Sequence, residues 1–177
     1  MLLIEILGFK RNPRYDVVLE EKLMPYLKAL VSKDCMIFTS GWHGEAAELR
    51  EFLVQKGIPN EEIFMETNAC RTIENIAFVM EALFKRDLKG YPHLDTISRF
   101  VFVGEAASEE EVLWLAPRIY KRLNKSGHDL DFGYYPLPLL PPDERIRKRK
   151  RLLLNKMSFY LPPLNFVLSM LRKYDIM

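Results

Sequence analysis

The stretch that decides the fold begins Cys35-Met-Ile-Phe-Thr-Ser-Gly-Trp-His-Gly-Glu45, an apolar run that ends in a glycine-rich turn. A helix-forming pattern follows and stops at Gly57, a residue type that commonly terminates helices. A second unit of the same kind comes next, with a short apolar run at 63–65 and a helical pattern from Thr72. Apolar runs that alternate with helices in this way predict a parallel sheet buried on both faces.

The same alternation extends from this stretch in both directions along the chain. Hydrophobic periodicity predicts strands at 2–7, 35–39, 63–65, 99–103 and 130–134, and helices at 17–32, 45–56, 72–85 and a stretch ending near 123. Pro25 interrupts the first of these helices and is expected to bend it or to divide it into two. The predicted fold class is therefore α/β, a three-layer sandwich around a mainly parallel sheet of about five strands.

Composition limits the class of protein without naming a partner. The chain of 177 residues is long enough for one domain with its own core, and its net charge of +2 favours no class of ligand. Cys35 and Cys70 are not in a paired metal-ligand spacing, so we expect two reduced thiols and no metal site. The apolar run at the start is too short to cross a membrane and lacks the basic flank of a signal peptide. These features predict a cytoplasmic protein.

The character of the chain changes after Tyr135, because Pro136-Leu-Pro-Leu-Leu-Pro-Pro142 is incompatible with a central strand or a helix interior. We therefore predict an α/β domain at 1–135 and a proline-rich arm with a helical extension at 136–177. The run Arg145–Arg151 holds six cations, which suits nucleic-acid phosphates but is more typical of a solvated helix face. The apolar residues that follow this run also fit a homodimer contact.

The loop after the second predicted strand offers groups that suit a polar or anionic ligand. Ser40 supplies a hydroxyl, and Gly41 and Gly44 let backbone N–H groups approach a ligand. Glu45 begins a helix whose dipole favours an anion, and His43 can act as acid, base or ligand near neutral pH. The alternative is an ordinary turn in which Ser40 or Glu45 caps the helix and His43 has no task.

The loop after the third predicted strand places further polar residues at a helix entrance. Thr72 is expected at the N-cap, with Glu74 and Asn75 in the first turn. Capping explains Thr72 but not the other two together, because asparagine is a poor helix-interior residue unless it has a partner. Arg71 can meet an anionic ligand or pair with Glu66, and the pairing is the favoured interpretation.

Together these two loops resemble the bacterial family of unknown function typified by SanA, YdcF and ElyC. The family pattern reads S-G-G, S-E-A, G-[VI]-P, I, E and N-T-x-E-N, and it is matched here by Ser40-Gly41, Gly44-Glu45-Ala46, Gly57-Ile58-Pro59, Ile63, Glu66 and Thr72-x-Glu74-Asn75. The resemblance covers roughly residues 35–85. It implies a Rossmann-like fold with these residues around a pocket for a nucleotide-like ligand, S-adenosylmethionine among the candidates. It assigns no reaction.

The chain departs from the family pattern after the fourth predicted strand. Members continue V-T-S-x-x-H-x-x-R-A, whereas this chain reads Val103-Gly-Glu-Ala-Ala-Ser-Glu-Glu-Glu111. Ser108 and Glu111 therefore replace the histidine and the arginine, and Gly104 and Glu105 complete this half of the predicted site. A hydroxyl and a carboxylate in place of two potential cations make the site less suited to phosphate.

Two functions remain open on the sequence alone. The first is a Rossmann-like enzyme or former enzyme that binds a small polar ligand at the carboxyl ends of its strands. Its candidate catalytic residues are His43, Glu45 and Glu74, and its expected ligand contacts are Ser40, Gly41, Gly44, Glu45, Glu66, Arg71, Thr72, Glu74, Asn75, Gly104 and Glu105. The second is a non-catalytic interaction module whose basic tail binds nucleic acid or a protein.

Overall fold

Strands and helices are interleaved along the residues that the structure, a computed structural model, describes: 1–9, 13–30, 34–84, 96–124 and 129–139. The strands are β1 (Leu2–Leu7), β2 (Cys35–Ser40), β3 (Ile63–Glu66), β4 (Arg99–Glu105) and β5 (Asp131–Leu137). The helices are α1 (Pro13–Val18), α2 (Met24–Leu30), α3 (Glu45–Gln55), α4 (Thr72–Phe84) and α5 (Glu109–Leu123). This order confirms the predicted α/β class.

The strands form one five-stranded sheet in the order β3-β2-β1-β4-β5, and every pair in it is parallel. The connection that follows β1 leads to β2, on one side of β1, and the connection that follows β4 leads to β5, on the opposite side of the sheet. Ligands of open α/β sheets bind beyond the carboxyl ends of two neighbouring strands whose connections lead to opposite sides in this way. In this sheet that place lies between β1 and β4.

Helices cover both faces of the sheet. On the face that we call the α4–α5 face, α4 and α5 pack against residues such as Leu3 and Phe102. On the opposite face, α2 and α3 pack against Ile4, Ile6 and Ile37. Because successive residues of a strand point to opposite faces, β1 contributes to both cores and is buried on both sides. The result is the three-layer sandwich that the sequence predicts.

The first helical segment contains the break that Pro25 predicts. A π-helical turn, Leu19–Leu23, joins α1 to α2 and ends two residues before the proline. Proline has no N–H to donate to the carbonyl four residues earlier, so a regular α-helical ladder does not continue through this position. The predicted start at Val17 is late, because the helix begins at Pro13, a residue type that suits the first helical position.

The last two strands run further than predicted. β4 includes Gly104 and Glu105, and β5 continues through Pro136 to Leu137. Proline is tolerated in an edge strand, because one side of such a strand bonds to no neighbour, and β5 is an edge of the sheet. Leu139 is also buried in the core, so the sheet and its packing extend past the predicted domain boundary at Tyr135.

Predictions for the tail lie outside the described residues. They include the rest of the proline-rich arm, the basic run Arg145–Arg151 with its nucleic-acid contact, and the apolar homodimer contact. Within the described ranges, no helix combines the length and the apolar character needed to cross a membrane.

Replacement of Phe102 provides a test of the packing on the α4–α5 face. The Phe102 ring is fully buried and stacks on Phe100 with ring centroids 4.4 Å apart. We expect Phe102→Ala to lower the free energy of unfolding by about 3–5 kcal/mol, as large-to-small changes in well-packed cores do. Urea denaturation followed by circular dichroism measures this loss. Leu113→Ala, at a side chain that is 36% exposed, is the control, and an equal loss in both variants would contradict the packing.

Candidate functional site

Polar side chains form a row at the carboxyl ends of β1, β2 and β3. In the strand register Ser40 lies beside Leu7 on one side and beside Glu66 on the other. Glu5 precedes Leu7 by two residues, so both point to the α4–α5 face. The sheet therefore brings Glu5, Ser40 and Glu66 together, although they are far apart in the sequence.

Glu5 is the residue of this site that sequence reasoning missed. Ser40 Oγ donates a hydrogen bond to Glu5 Oε1 at 2.8 Å, while Glu5 Oε2 has no partner among the described residues. Both side chains are fully buried, so the Ser40 hydroxyl is closed to a substrate in this conformation. The signal in the sequence is one carboxyl in an otherwise apolar central strand, where an ionised side chain is strongly disfavoured.

Burial changes the pKa values of the two carboxyl groups in this row, Glu5 and Glu66. It raises the pKa of Glu5 to about 8, with the hydrogen bond from Ser40 opposing the change and the charge of Glu66 adding to it. Burial also raises the pKa of Glu66, against backbone N–H donors that lower it. At neutral pH Glu5 is therefore mostly a neutral carboxylic acid, which can donate as well as accept a hydrogen bond.

The loop after β2 uses its backbone donors within the protein. Gly41 N–H donates to Glu66 O at 3.1 Å, and Trp42 N–H donates to Glu45 Oε2 at 3.3 Å. The Gly41 N–H is thus bonded within the protein in this structure, and its contact with a ligand stays a prediction. The predicted caps are corrected, because the N-cap of α3 is Gly44, with φ at 88° and no side-chain hydrogen bond.

His43 lies at the tip of the same loop. Its side chain is exposed, its backbone φ is 53°, and its ring meets the Trp42 ring edge-on at 5.0 Å between centroids. The polar row, by contrast, is buried in the sheet. This candidate acid or base is therefore exposed in the structure, whereas Glu5 and Ser40 are buried.

Two glycines allow the ends of β1 and β2 to approach closely. A Cβ atom on Gly8 would lie 2.4 Å from Ser40 O and 2.6 Å from Glu45 Oε2. Gly41 has a φ of 153°, and a Cβ atom there would lie 2.7 Å from the same carboxylate oxygen. The Glu45 carboxylate fills the space that the glycines leave. This side of the strand ends is therefore packed.

The loop after β3 is also folded around carboxylates. Glu66 accepts the N–H of Asn68 at 2.6 Å and the N–H of Ala69 at 3.1 Å. Glu74 Oε2 accepts the N–H of Cys70 at 2.8 Å. Both glutamates thus hold the local backbone, and the N–H groups of Asn68, Ala69 and Cys70 are used inside the protein.

The start of α4 differs from the prediction at the cap. Arg71 O accepts the N–H of Asn75 at 2.9 Å, which makes Arg71 the N-cap and places Thr72 inside the helix. Arg71 is buried, and its pairing with Glu66 stays a prediction. Asn75 is buried too, and its Oδ1 has no hydrogen-bond partner among the described residues. This is the asparagine that the sequence indicates needs a partner.

The end of β4 forms the opposite half of the site. Tyr134 OH donates to Glu105 O at 2.8 Å. The same hydroxyl would lie 2.8 Å from a Cβ atom on Gly104, so this glycine makes room for the tyrosine. Ser108 and Glu111, which the resemblance aligns with a histidine and an arginine, are both buried. The structure thus places all of these residues at one end of the sheet.

This half of the site is acidic, as the sequence indicates. Burial raises the pKa of Tyr134, and the charges of Glu105, Glu109 and Glu111 raise it further. Glu105 Oε2 also accepts the N–H of Ala107 at 2.7 Å. The loop after β4 is therefore another that closes around its own carboxylate.

Comparisons with known proteins leave the family open. No family model matches the chain, and no curated protein or solved structure matches it. The resemblance to the SanA, YdcF and ElyC family therefore stays a prediction. Among the described residues, no group of three or more histidine, cysteine, aspartate or glutamate side chains is placed to hold a metal ion.

The close approach at Gly8 predicts an intolerance to even one methyl group. We expect Gly8→Ala to destabilise the fold by about 1–3 kcal/mol, because the new Cβ would meet backbone at Ser40 that cannot rotate away. Gly133→Ala is the control, since its Cβ would lie 3.4 Å from a flexible Arg99 side chain. Thermal unfolding of both variants measures the difference. Equal melting temperatures would contradict the tight β1–β2 contact.

The buried carboxyl predicts a dependence of stability on pH. Glu5 has a pKa of about 8 in the folded protein, above its ordinary value of 4.5. Between these values the unfolded chain loses this proton before the folded chain does, so ionisation favours unfolding and stability falls as pH rises. Glu5→Gln removes this term while keeping an acceptor for Ser40. Relative to the wild type, we expect the free energy of unfolding of the variant to rise by a few kcal/mol from pH 5 to pH 8, and to rise little more above pH 8.

Melting temperatures of both proteins across this pH range provide the measurement. The melting temperature of Glu5→Gln should rise relative to that of the wild type from pH 5 to pH 8. A difference that stays constant from pH 5 to pH 8 would show that Glu5 is ionised in the folded protein throughout, against the burial described.

Proposed function

We propose that the chain binds a small, positively charged ligand without phosphate at the carboxyl ends of its strands, with S-adenosylmethionine as the first candidate. The observation that carries the proposal is Glu5, a carboxyl buried in a central strand with one oxygen that no described residue bonds. Burying this group weakens the fold, and strongly perturbed carboxyls are concentrated at functional sites. A positively charged ligand would supply the partner that Glu5 lacks.

The backbone donors support a ligand without phosphate. Phosphate sites in α/β proteins present free N–H groups at a helix start. Here the N–H groups of Gly41, Trp42 and Cys70 already donate to oxygens of the protein. A phosphate that used the Trp42 and Cys70 donors would have to displace the carboxylates of Glu45 and Glu74, so these two loops disfavour it.

The balance of charge supports the same ligand class. Among the described residues, seven glutamates lie near the carboxyl ends of four strands or in the helices that follow them: Glu5, Glu45, Glu66, Glu74, Glu105, Glu109 and Glu111. The buried cation among them is Arg71. Like charges repel across several ångströms at a partly buried site, so a triphosphate is disfavoured and a cation is favoured.

S-adenosylmethionine matches this chemistry better than phosphorylated nucleotides do. Its sulfonium and ammonium groups suit carboxylates, and its ribose hydroxyls suit an acceptor such as Asn75 Oδ1. We assign no reaction to the site. His43 is exposed, whereas the polar row is buried, and Glu45 and Glu74 each accept a backbone N–H in this structure.

Isothermal titration calorimetry with three adenosine ligands tests the proposal. S-adenosylmethionine and S-adenosylhomocysteine differ by one methyl group and one positive charge, and ATP adds phosphates. We expect S-adenosylmethionine to bind most tightly and ATP least. Glu74→Gln removes a charge but keeps an acceptor for the Cys70 N–H, so we expect it to weaken S-adenosylmethionine binding by about tenfold.

Glu51→Gln is the matched control for Glu74→Gln. Glu51 is exposed on α3, and its replacement also removes one negative charge, so it reports the effect of net charge alone. Equal weakening in both variants would place the ligand away from α4. Tighter binding of ATP than of S-adenosylmethionine, or no binding of any of the three, would overturn the proposed ligand class.

A further inference from the structure

Glu5 and Asn75 share a feature that a simple ligand contact does not explain. Glu5 is 0% exposed and Asn75 is 7% exposed, and each keeps one oxygen without a partner among the described residues. Such buried oxygens destabilise a folded protein unless they gain a hydrogen bond. A ligand cannot reach them while they are closed off, so the site has to open before either atom is used.

The loop between β3 and α4, residues 67–71, joins the strand that ends in Glu66 to the helix whose first turn carries Asn75. It follows β3, which is an edge strand of four residues. Thr67 and Asn68 are exposed, whereas Ala69 and Cys70 are buried. The loop is held by its N–H bonds to the carboxylates of Glu66 and Glu74. The position of the loop therefore depends on the carboxylates of Glu66 and Glu74, which contribute to the negative charge of the site.

Ionisation of Glu5 would add a negative charge to a site that already contains the carboxylates of Glu66 and Glu74. The register neighbours of Glu5 on β2 and β4 are the apolar Phe38 and Phe102. The charged groups that the elements packed on this face bring to the same end of the sheet are Glu66 from β3, Arg71 and Glu74 at the start of α4, and Glu111 from α5. The charge of Glu66 already disfavours ionised Glu5. A second buried negative charge in an apolar setting requires water or a cation beside it.

We propose that Glu5 is a proton-operated receptor for the positive group of the ligand. While the carboxyl holds its proton, loop 67–71 closes over the site. When the proton leaves to solvent, the loop opens, and the cation of the ligand takes the place of the proton beside Glu5 and Asn75. The ligand class rests on the proposed function, whereas the movement of the loop is a property of the protein without ligand.

Amide hydrogen exchange of the free protein between pH 6 and pH 8 tests the movement. If each opening releases one proton, the protection of the Ala69 and Cys70 amides, corrected for intrinsic exchange, falls about tenfold for each pH unit. Glu5→Gln should abolish this dependence, and Glu5→Met serves in its place if the glutamine variant does not fold. Glu51→Gln and His43→Gln are the controls, the latter because the His43 imidazole lies exposed in the neighbouring loop after β2.

Two results of the exchange experiment would overturn the proposal. One is protection of Ala69 and Cys70 that does not change from pH 6 to pH 8. The other is the same change in Glu5→Gln as in the wild type. If His43→Gln abolished the dependence while Glu5→Gln kept it, the proton would belong to His43 and the assignment to Glu5 would also fail.

Calorimetry of S-adenosylmethionine binding in buffers of different ionisation enthalpy tests the exchange of proton for cation. We expect release of about one proton per ligand at pH 7 in the wild type and none in Glu5→Gln. Binding without proton release overturns the proton-operated receptor but leaves the proposed function in place. Absence of binding overturns the proposed function, and the exchange experiment still decides whether the loop is governed by Glu5.

Discussion

The strand-end loops of this protein keep their shape because glutamate carboxylates accept their backbone N–H groups. Glu45 does so after β2, Glu66 and Glu74 after β3, and Glu105 after β4. In many α/β proteins the same donors are free and bind the anion of a ligand. Here the protein supplies the anions itself. The loops are thereby closed, and the buried charged residues at this end of the sheet are mostly glutamates among the described residues.

Glu5 concentrates this constraint at the centre of the sheet. It stands on β1, between the apolar Phe38 and Phe102 on neighbouring strands, and only the Ser40 hydroxyl bonds one of its oxygens among the described residues. The parallel register that brings Ser40 and Glu66 to the same face also brings their charge and dipole to bear on Glu5. The fold thus stabilises the neutral acid, and ionisation of Glu5 would require water or a cation beside it.

Much of the fold followed from local patterns, and less of the site did. The strands from Cys35 and Ile63 and the helix that ends before Gly57 were confirmed, because burial on both faces and a terminal glycine leave strong local signals. The end of β5 was missed, since Pro136 is excluded from a central strand but not from an edge. The acidic end of β4 was visible in the sequence, whereas the packing of Gly41 against Glu45 and the N-cap position of Gly44 were not.

The sequence by itself determined the α/β class, the alternation of elements and the residues that stand at the strand ends, because periodicity and turn residues act over short distances along the chain. Only the tertiary structure decided which of those residues meet. Glu5 and Ser40 are 35 positions apart and become bonded partners only through strand register. Whether a glutamate binds a ligand, holds a loop or keeps a proton depends on burial and on the donors around it, and both are set by packing between distant segments.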